Sequence, residues 1–232
     1  MAGKQVYLFT FNVVSLIGWF GVLTRILVAA EGGGGLEAAY RASRARVELM
    51  QYLALLEIAH AALHITRGNV ASAIMQNLGR DLVLFGVLSA LPAAHAAAAK
   101  DTAWVGALFA TWAASEVCRF PFYAGAIVAG DATPAPAWLR ALKWVRYSAF
   151  VPLYPLGFAA EVMVLWRALP AIEAANLHGW LVPGFVPWGF RALLLPYMAY
   201  AYGVGAPKLY LYMLKQRRRQ LGGAAAKTKN GD

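Results

Sequence analysis

The stretch that decides the fold is TAWVGALFATWAASEVCRFPFYAGAIVA, residues 102–129. A hydrocarbon core takes about 20 mostly apolar residues per helix. This run exceeds that length, with Glu116 and Arg119 as its only charged residues. The rest of the chain agrees. It has 232 residues, 60% hydrophobic and 14% charged, where a soluble domain carries about a quarter charged. Five further apolar stretches lie at about 7–30, 47–66, 70–98, 138–168 and 188–214. The fold expected is all-α: a polytopic membrane protein, a bundle of about six transmembrane helices.

The breaks between the stretches are legible. EGGGGLEAAYRASRAR separates the first two, TRGNV the second and third, AKDT the third and fourth. GDATPAPA stops the fourth, since its prolines cannot continue a helix. Residues 169–187, with Pro170, Pro183 and Pro187, read as the longest late loop. The N-terminal apolar run is too long for a signal-peptide core and has no clear cleavage site, so it reads as an uncleaved first span.

The net charge of +10 is concentrated in KQRRRQ at 215–220, with Lys227 and Lys229 beyond. Directly after an apolar stretch, that run is a cytosolic membrane anchor rather than a nucleic-acid patch. The domain reading is residues 1–214 as the membrane domain and 215–232 as a disordered basic tail. Six spans put both termini on one side, and the basic tail makes that side the cytosol. Arg41, Arg44 and Arg46 in the first loop pull the other way.

A charged side chain in a span costs about 3 kcal/mol or more, so such residues usually face a bundle interior. Here they are numerous: Glu57, His60 and His64 in the second span, Gln76, Arg80 and Asp81 in the third. Glu116, Arg119 and Tyr123 follow in the fourth, and Arg146, Tyr147, Tyr154 and Glu161 in the fifth. Glu57, His60 and His64 share one helix face. A di-iron bundle would need a second carboxylate–histidine pair, and the other histidines, His95 and His178, sit near span ends. No metal site is expected. Glu57 pairs with an arginine or accepts a proton, and the histidines pack. Arg80, Arg119 and Arg146 either tie helices together through Glu57, Asp81 and Glu116 or grip an anion, for which guanidinium is suited. Both roles are compatible. Arg140, Lys143 and Arg146 form a basic face at the start of the fifth span.

Within that span stands LYPLGFAAE, residues 153–161. Tyr154 and Glu161 are seven apart and project from nearly the same face, about 10 Å apart along the axis. Pro155 removes a backbone hydrogen bond and Gly157 permits close approach. A phenol and a carboxyl withdrawn from water on one face are suited either to proton transfer or to a structural hydrogen bond.

The chain resembles a known family. WAASEVCRFPFYA (112–124) and LKWVRYSAFVPLYPLGFAAE (142–161) are similar to the membrane 3-hydroxyacyl-CoA dehydratases of very-long-chain fatty acid elongation, first called protein tyrosine phosphatase-like proteins. The second segment matches R-Y-x-x-F-x-x-L-Y-P-x-G-x-x-x-E at every fixed position, and the first keeps Trp112, Glu116, Arg119, Phe120 and Tyr123, with Ala113 where serine or threonine is usual. LLEIAHAALHITRGNVASAIMQNLGRDLVLFGV (55–87) is similar to the family's second and third spans.

The resemblance implies Tyr154 and Glu161 as catalytic pair and dehydration of a long-chain (3R)-3-hydroxyacyl-CoA as the reaction. It also implies the third step of the elongation cycle, no cofactor, and an endoplasmic reticulum membrane. Arg146, Tyr147, Gly157, Arg119 and Arg80 are the expected substrate-binding residues, and Glu57, Gln76 and Glu116 a structural polar network. Membrane lipid and the condensing enzyme, ketoacyl reductase and enoyl reductase of the cycle are the expected partners; nucleic acid is not. KTKNGD at the C-terminus departs from a dilysine signal, and six residues after Cys118 stands Ala124 instead of a phosphatase arginine. The competing readings are a catalytically silent scaffold, which has no use for the Tyr/Glu pair, and a transporter, for which an internal repeat is missing.

Overall fold

The computed structural model describes residues 3–66, 68–94, 100, 102–181 and 189–228. His95 lies outside them. Among the described residues there are helices and no strand.

Helix α1 spans Gly3–Ala29 and ends in a π-helical turn, Ala30–Gly34. Gly33 and Gly35 then adopt φ of 84° and 58°, a left-handed region that residues with a Cβ avoid, and the chain reverses. Helix α2 (Ala39–Ala62) follows, then α3 (Val70–Asp81), which runs into a second π-helical turn, Leu82–Leu88. Helix α4 (Ala103–Ala129) starts at Thr102, whose hydroxyl accepts from the Val105 N–H. Helices α5 (Ala137–Ser148) and α6 (Phe150–Ala174) are nearly continuous and break at Ala149. The cause is Pro152, which offers no N–H to the Ser148 carbonyl and crowds it with its ring. Helix α7 (Arg191–Tyr200), a third π-helical turn (Ala201–Gly205) and α8 (Ala206–Thr228) form the last rod.

Joined across their breaks, these elements make six rods, one for each apolar stretch. Helix α4 lies centrally, packed on α1, α2, α5 and α6. Trp19, Val22 and Ile26 of α1, Leu108 and Phe109 of α4, and Val164, Leu165 and Ile172 of α6 form the middle of the core. Two of the rods are long and apolar enough to cross a membrane: Gly3–Gly34, of mean hydropathy 2.0, and Ala137–Ala174, of 1.5. Their outer faces stay apolar, with Ile17, Phe20, Val28 and Trp166 all more than half exposed.

Two local expectations meet a different structure. The loop placed from residue 169 starts later, because α6 continues through Pro170 to Ala174. Leu169 and Ile172 are buried there, and that packing holds the helix past its proline. The basic segment from Lys215 continues α8 as far as Thr228.

Candidate active site

The polar residues of α2, α3 and α4 meet in one chain of ion pairs. Glu57 of α2 takes Arg119 in a two-pronged grip, with Oε2 to Nη1 at 2.9 Å and Oε1 to Nη2 at 2.6 Å. The Arg119 Nε donates to Glu116 Oε2 at 2.7 Å, one helical turn back on α4. Arg80 of α3 closes on the other carboxylate oxygen of Glu116, also at 2.7 Å, and stacks over the Trp112 ring. Glu116 is nearly sealed from solvent, and the three others are partly buried. Burial of this many charges is tolerated because each carboxylate and guanidinium is paired within hydrogen-bond distance.

Gln76 stands outside this network. It is exposed, while Asn77 beside it is buried and accepts from Gln51 Nε2 at 3.1 Å. Gln51 also donates to Asp81 at 3.0 Å. At 100° per residue, Asn77, Arg80, Asp81 and Leu84 make one inward stripe and Gln76 falls about a quarter turn off it. Sequence reasoning passed over Gln51 and Asn77; the i, i+3, i+4, i+7 spacing of that stripe was the signal available.

The histidines have local partners. His60 is buried, with its Nε2 2.7 Å from the Tyr7 hydroxyl and its ring against Phe11. His64 ends α2 with φ of 54°, and its carbonyl accepts from Lys4.

In the last turn of α5, Arg146 donates to the Tyr123 hydroxyl at 2.6 Å and lies over the rings of Tyr123 and Tyr147. The Arg146 Nε is buried and makes no hydrogen bond. Gly157 faces α4: a Cβ there would touch the Thr111 hydroxyl oxygen at 3.4 Å, so the absence of a side chain sets how closely α6 and α4 pack.

Tyr154 is half-buried, edge-on to Phe150 and Phe158 at one helical turn on either side. Glu161 is buried, two turns further along, and no hydrogen bond joins it to Tyr154. Its nearest polar neighbours come from other helices. Tyr197 and Tyr202 of the last rod face its carboxyl, and Arg80 lies within electrostatic reach. Gly79 forms the wall between them: a Cβ built on it would lie 3.6 Å from the Tyr197 hydroxyl and 3.8 Å from Glu161 Oε1. Neither tyrosine was singled out from sequence, where both are lost in a Tyr-rich apolar run.

The arrangement brings together a buried carboxyl, the two phenols of Tyr197 and Tyr202, and a guanidinium that is already neutralised by Glu116. Carboxyl and phenol are proton donors and acceptors, and the charge balance leaves them free to exchange protons instead of forming ion pairs. Among the described residues, no three His, Cys, Asp or Glu side chains converge as metal ligands would.

Comparison with known proteins bears on this arrangement. Residues 51–223 match the family described as protein tyrosine phosphatase-like protein, PTPLA. A very-long-chain (3R)-3-hydroxyacyl-CoA dehydratase of Arabidopsis thaliana, PASTICCINO 2, is 30% identical over 94% of both chains. The hpo-8 dehydratase of Caenorhabditis elegans is 28% identical over 96% of this chain and 98% of its own, and human dehydratase 2 is 27% identical over 93% and 80%. No solved structure matches. On the family match and the full-length similarity, this chain belongs to the protein tyrosine phosphatase-like (PTPLA) family.

Proposed function

We propose that the chain is a hydro-lyase that converts long-chain (3R)-3-hydroxyacyl-CoA to trans-2-enoyl-CoA and water, the third step of very-long-chain fatty acid elongation. The observation that carries this reading is the buried Glu161 carboxyl on the same helix face as Tyr154, among phenols and away from any fixed ion pair. The names borne by full-length relatives support it.

The chemistry needs a base for the α-proton and an acid for the β-hydroxyl. The Cα–H pair becomes the new double bond, the Cβ–O bond breaks, and the departing oxygen takes a proton to leave as water. Tyr154 and Glu161 share these two tasks, with Tyr154 on the α-proton and enolate side. The two groups sit about 10 Å apart along the axis, so the substrate lies along α6 and spans them. Arg146 lies two turns before Tyr154, about 12 Å away at 1.5 Å per residue. Its buried, unengaged Nε is available to the phosphate end of CoA. Arg80 and Arg119 then act mainly by holding α2, α3 and α4 around the site.

The site lies inside a membrane in this reading. The two rods able to span, the apolar outer surfaces and the basic C-terminal helix support a six-span protein of the endoplasmic reticulum with cytosolic termini. Its partners are membrane lipid and the other enzymes of the elongation cycle, and no cofactor takes part. Purified protein given a long-chain (3R)-3-hydroxyacyl-CoA forms the enoyl product, detected by mass spectrometry as loss of one water. Absence of that product in protein that remains monodisperse in detergent contradicts the reading.

A further inference from the structure

The last rod is fixed in antiparallel register against the junction of α5 and α6 by two contacts. Pro155 leaves the Val151 carbonyl without its i+4 donor, and the Tyr210 hydroxyl supplies one at 3.2 Å. About two helical turns nearer the C-terminus, Arg217 Nε reaches Ser148 Oγ at 3.3 Å, and Phe150 meets the Tyr210 ring edge-on. Going the other way from Tyr210, eight residues lead back along the last rod to Tyr202, while ten residues carry α6 from Val151 to Glu161. At 1.5 Å per residue these are advances of about 12 and 15 Å. The register therefore puts Tyr202 level with Glu161.

The backbone at Tyr202 is built for that placement. It sits in the π-helical turn Ala201–Gly205, where Pro207 withholds an N–H from the Gly203 carbonyl and two glycines ease the widening. Such turns re-aim a side chain and recur at functional sites. The Tyr202 hydroxyl is buried close to the carboxyl of Glu161 and the hydroxyl of Tyr197, yet with neither does it reach the distance and angles of a full hydrogen bond. Tyr197 backs it edge-on, ring centroids 6.3 Å apart. A buried hydroxyl that faces a carboxyl with its proton unspent is costly to keep unless a bound state uses it.

We propose that Tyr202 is the positioning residue of Glu161: its hydroxyl donates to one carboxyl oxygen and leaves the other to exchange a proton with substrate. This rests on the reading that Glu161 takes part in the dehydration. Tyr202 touches the reacting atoms only through that carboxyl, and Tyr197 supports it from behind. The titratable and charged groups that face Glu161 are Tyr202 and Tyr197 from the last rod and Arg80 from α3.

The test uses the purified full-length protein and a long-chain (3R)-3-hydroxyacyl-CoA. Tyr202→Phe lowers kcat about 10- to 100-fold, the range of one oriented acid–base group, changes KM less than about threefold, and displaces a limb of the kcat–pH profile. Tyr200→Phe, at an exposed neighbour, leaves all three unchanged. A wild-type kcat in Tyr202→Phe, or a lower kcat on an unmoved pH profile, overturns the proposal. Should Tyr202→Phe fail to fold, 2,3-difluorotyrosine at 202 keeps the shape and changes the hydroxyl's acidity. A kcat–pH profile identical to wild type then overturns it. Glu161→Gln separates the two layers. If it is inactive while Tyr202→Phe is normal, only the role of Tyr202 falls; if it is as active as wild type, the role of Glu161 falls first.

Discussion

Glu116 is the residue on which the packing of α3 against α4 depends most. It alone joins Arg80 to Arg119, one guanidinium on each carboxylate oxygen at 2.7 Å. In Glu116→Gln, Arg119 keeps both bonds to Glu57. Arg80 loses its ion pair and is left with Ser115 at 3.4 Å and the Trp112 ring. Stranding one partner of a fully buried pair costs about 3–5 kcal/mol. Arg80 retains 24% side-chain exposure, so water recovers part of its solvation and about 3 kcal/mol is expected. For a chain of this size that lowers Tm by roughly 6–12 °C. Thermal unfolding of the detergent-purified variant, followed by circular dichroism, measures it. Adding Arg80→Leu removes the stranded charge, so the double variant recovers part of the loss. A Glu116→Gln protein within 2 °C of wild type, or a double variant that loses the sum of the two single losses, refutes the reasoning.

Tyr210→Phe removes the exposed hydrogen bond to the Val151 carbonyl and lowers stability by about 0.5–1 kcal/mol; in a Pro155→Ala background, where residue 155 can donate to that carbonyl, the same change costs close to nothing, as a double-mutant cycle of unfolding midpoints checks. Arg146→Ala raises KM for the acyl-CoA more than it lowers kcat, and steady-state kinetics with an unchanged KM would count against its role at the phosphate end. Gly79→Val inserts methyls into the wall between Tyr197 and Glu161 and lowers kcat at least tenfold with little change in Tm; full activity would mean that the wall is not part of the site.

The rod architecture was legible because apolar length and Pro/Gly breaks act locally. Each of the six apolar stretches became one rod, since nothing but packing had to be added. Pro170 shows the limit: a proline ends an isolated helix, but buried Leu169 and Ile172 keep α6 going. The ionic residues were legible as types, since charge in an apolar run stands out, and their partners were not. Which carboxylate takes which arginine depends on the rotation of α3, and a quarter turn separates exposed Gln76 from buried Asn77. Tyr197 and Tyr202 were hidden for another reason. A tyrosine in an apolar span gives no signal, and only the register of α8 on the α5–α6 rod, set by Tyr210 and Arg217, aims one at Glu161. That register follows from the carbonyl freed by Pro155, four residues away in sequence and on another helix from the tyrosine that answers it.

The most direct measurement is the dehydration of a long-chain (3R)-3-hydroxyacyl-CoA by purified wild-type, Tyr154→Phe and Glu161→Gln proteins, each shown to be folded by its unfolding midpoint. The wild type forms trans-2-enoyl-CoA, and each variant loses at least about 100-fold in kcat, as expected for an acid–base group. Enoyl-CoA formation at wild-type rate in both variants would contradict the assignment of the site to this face of α6.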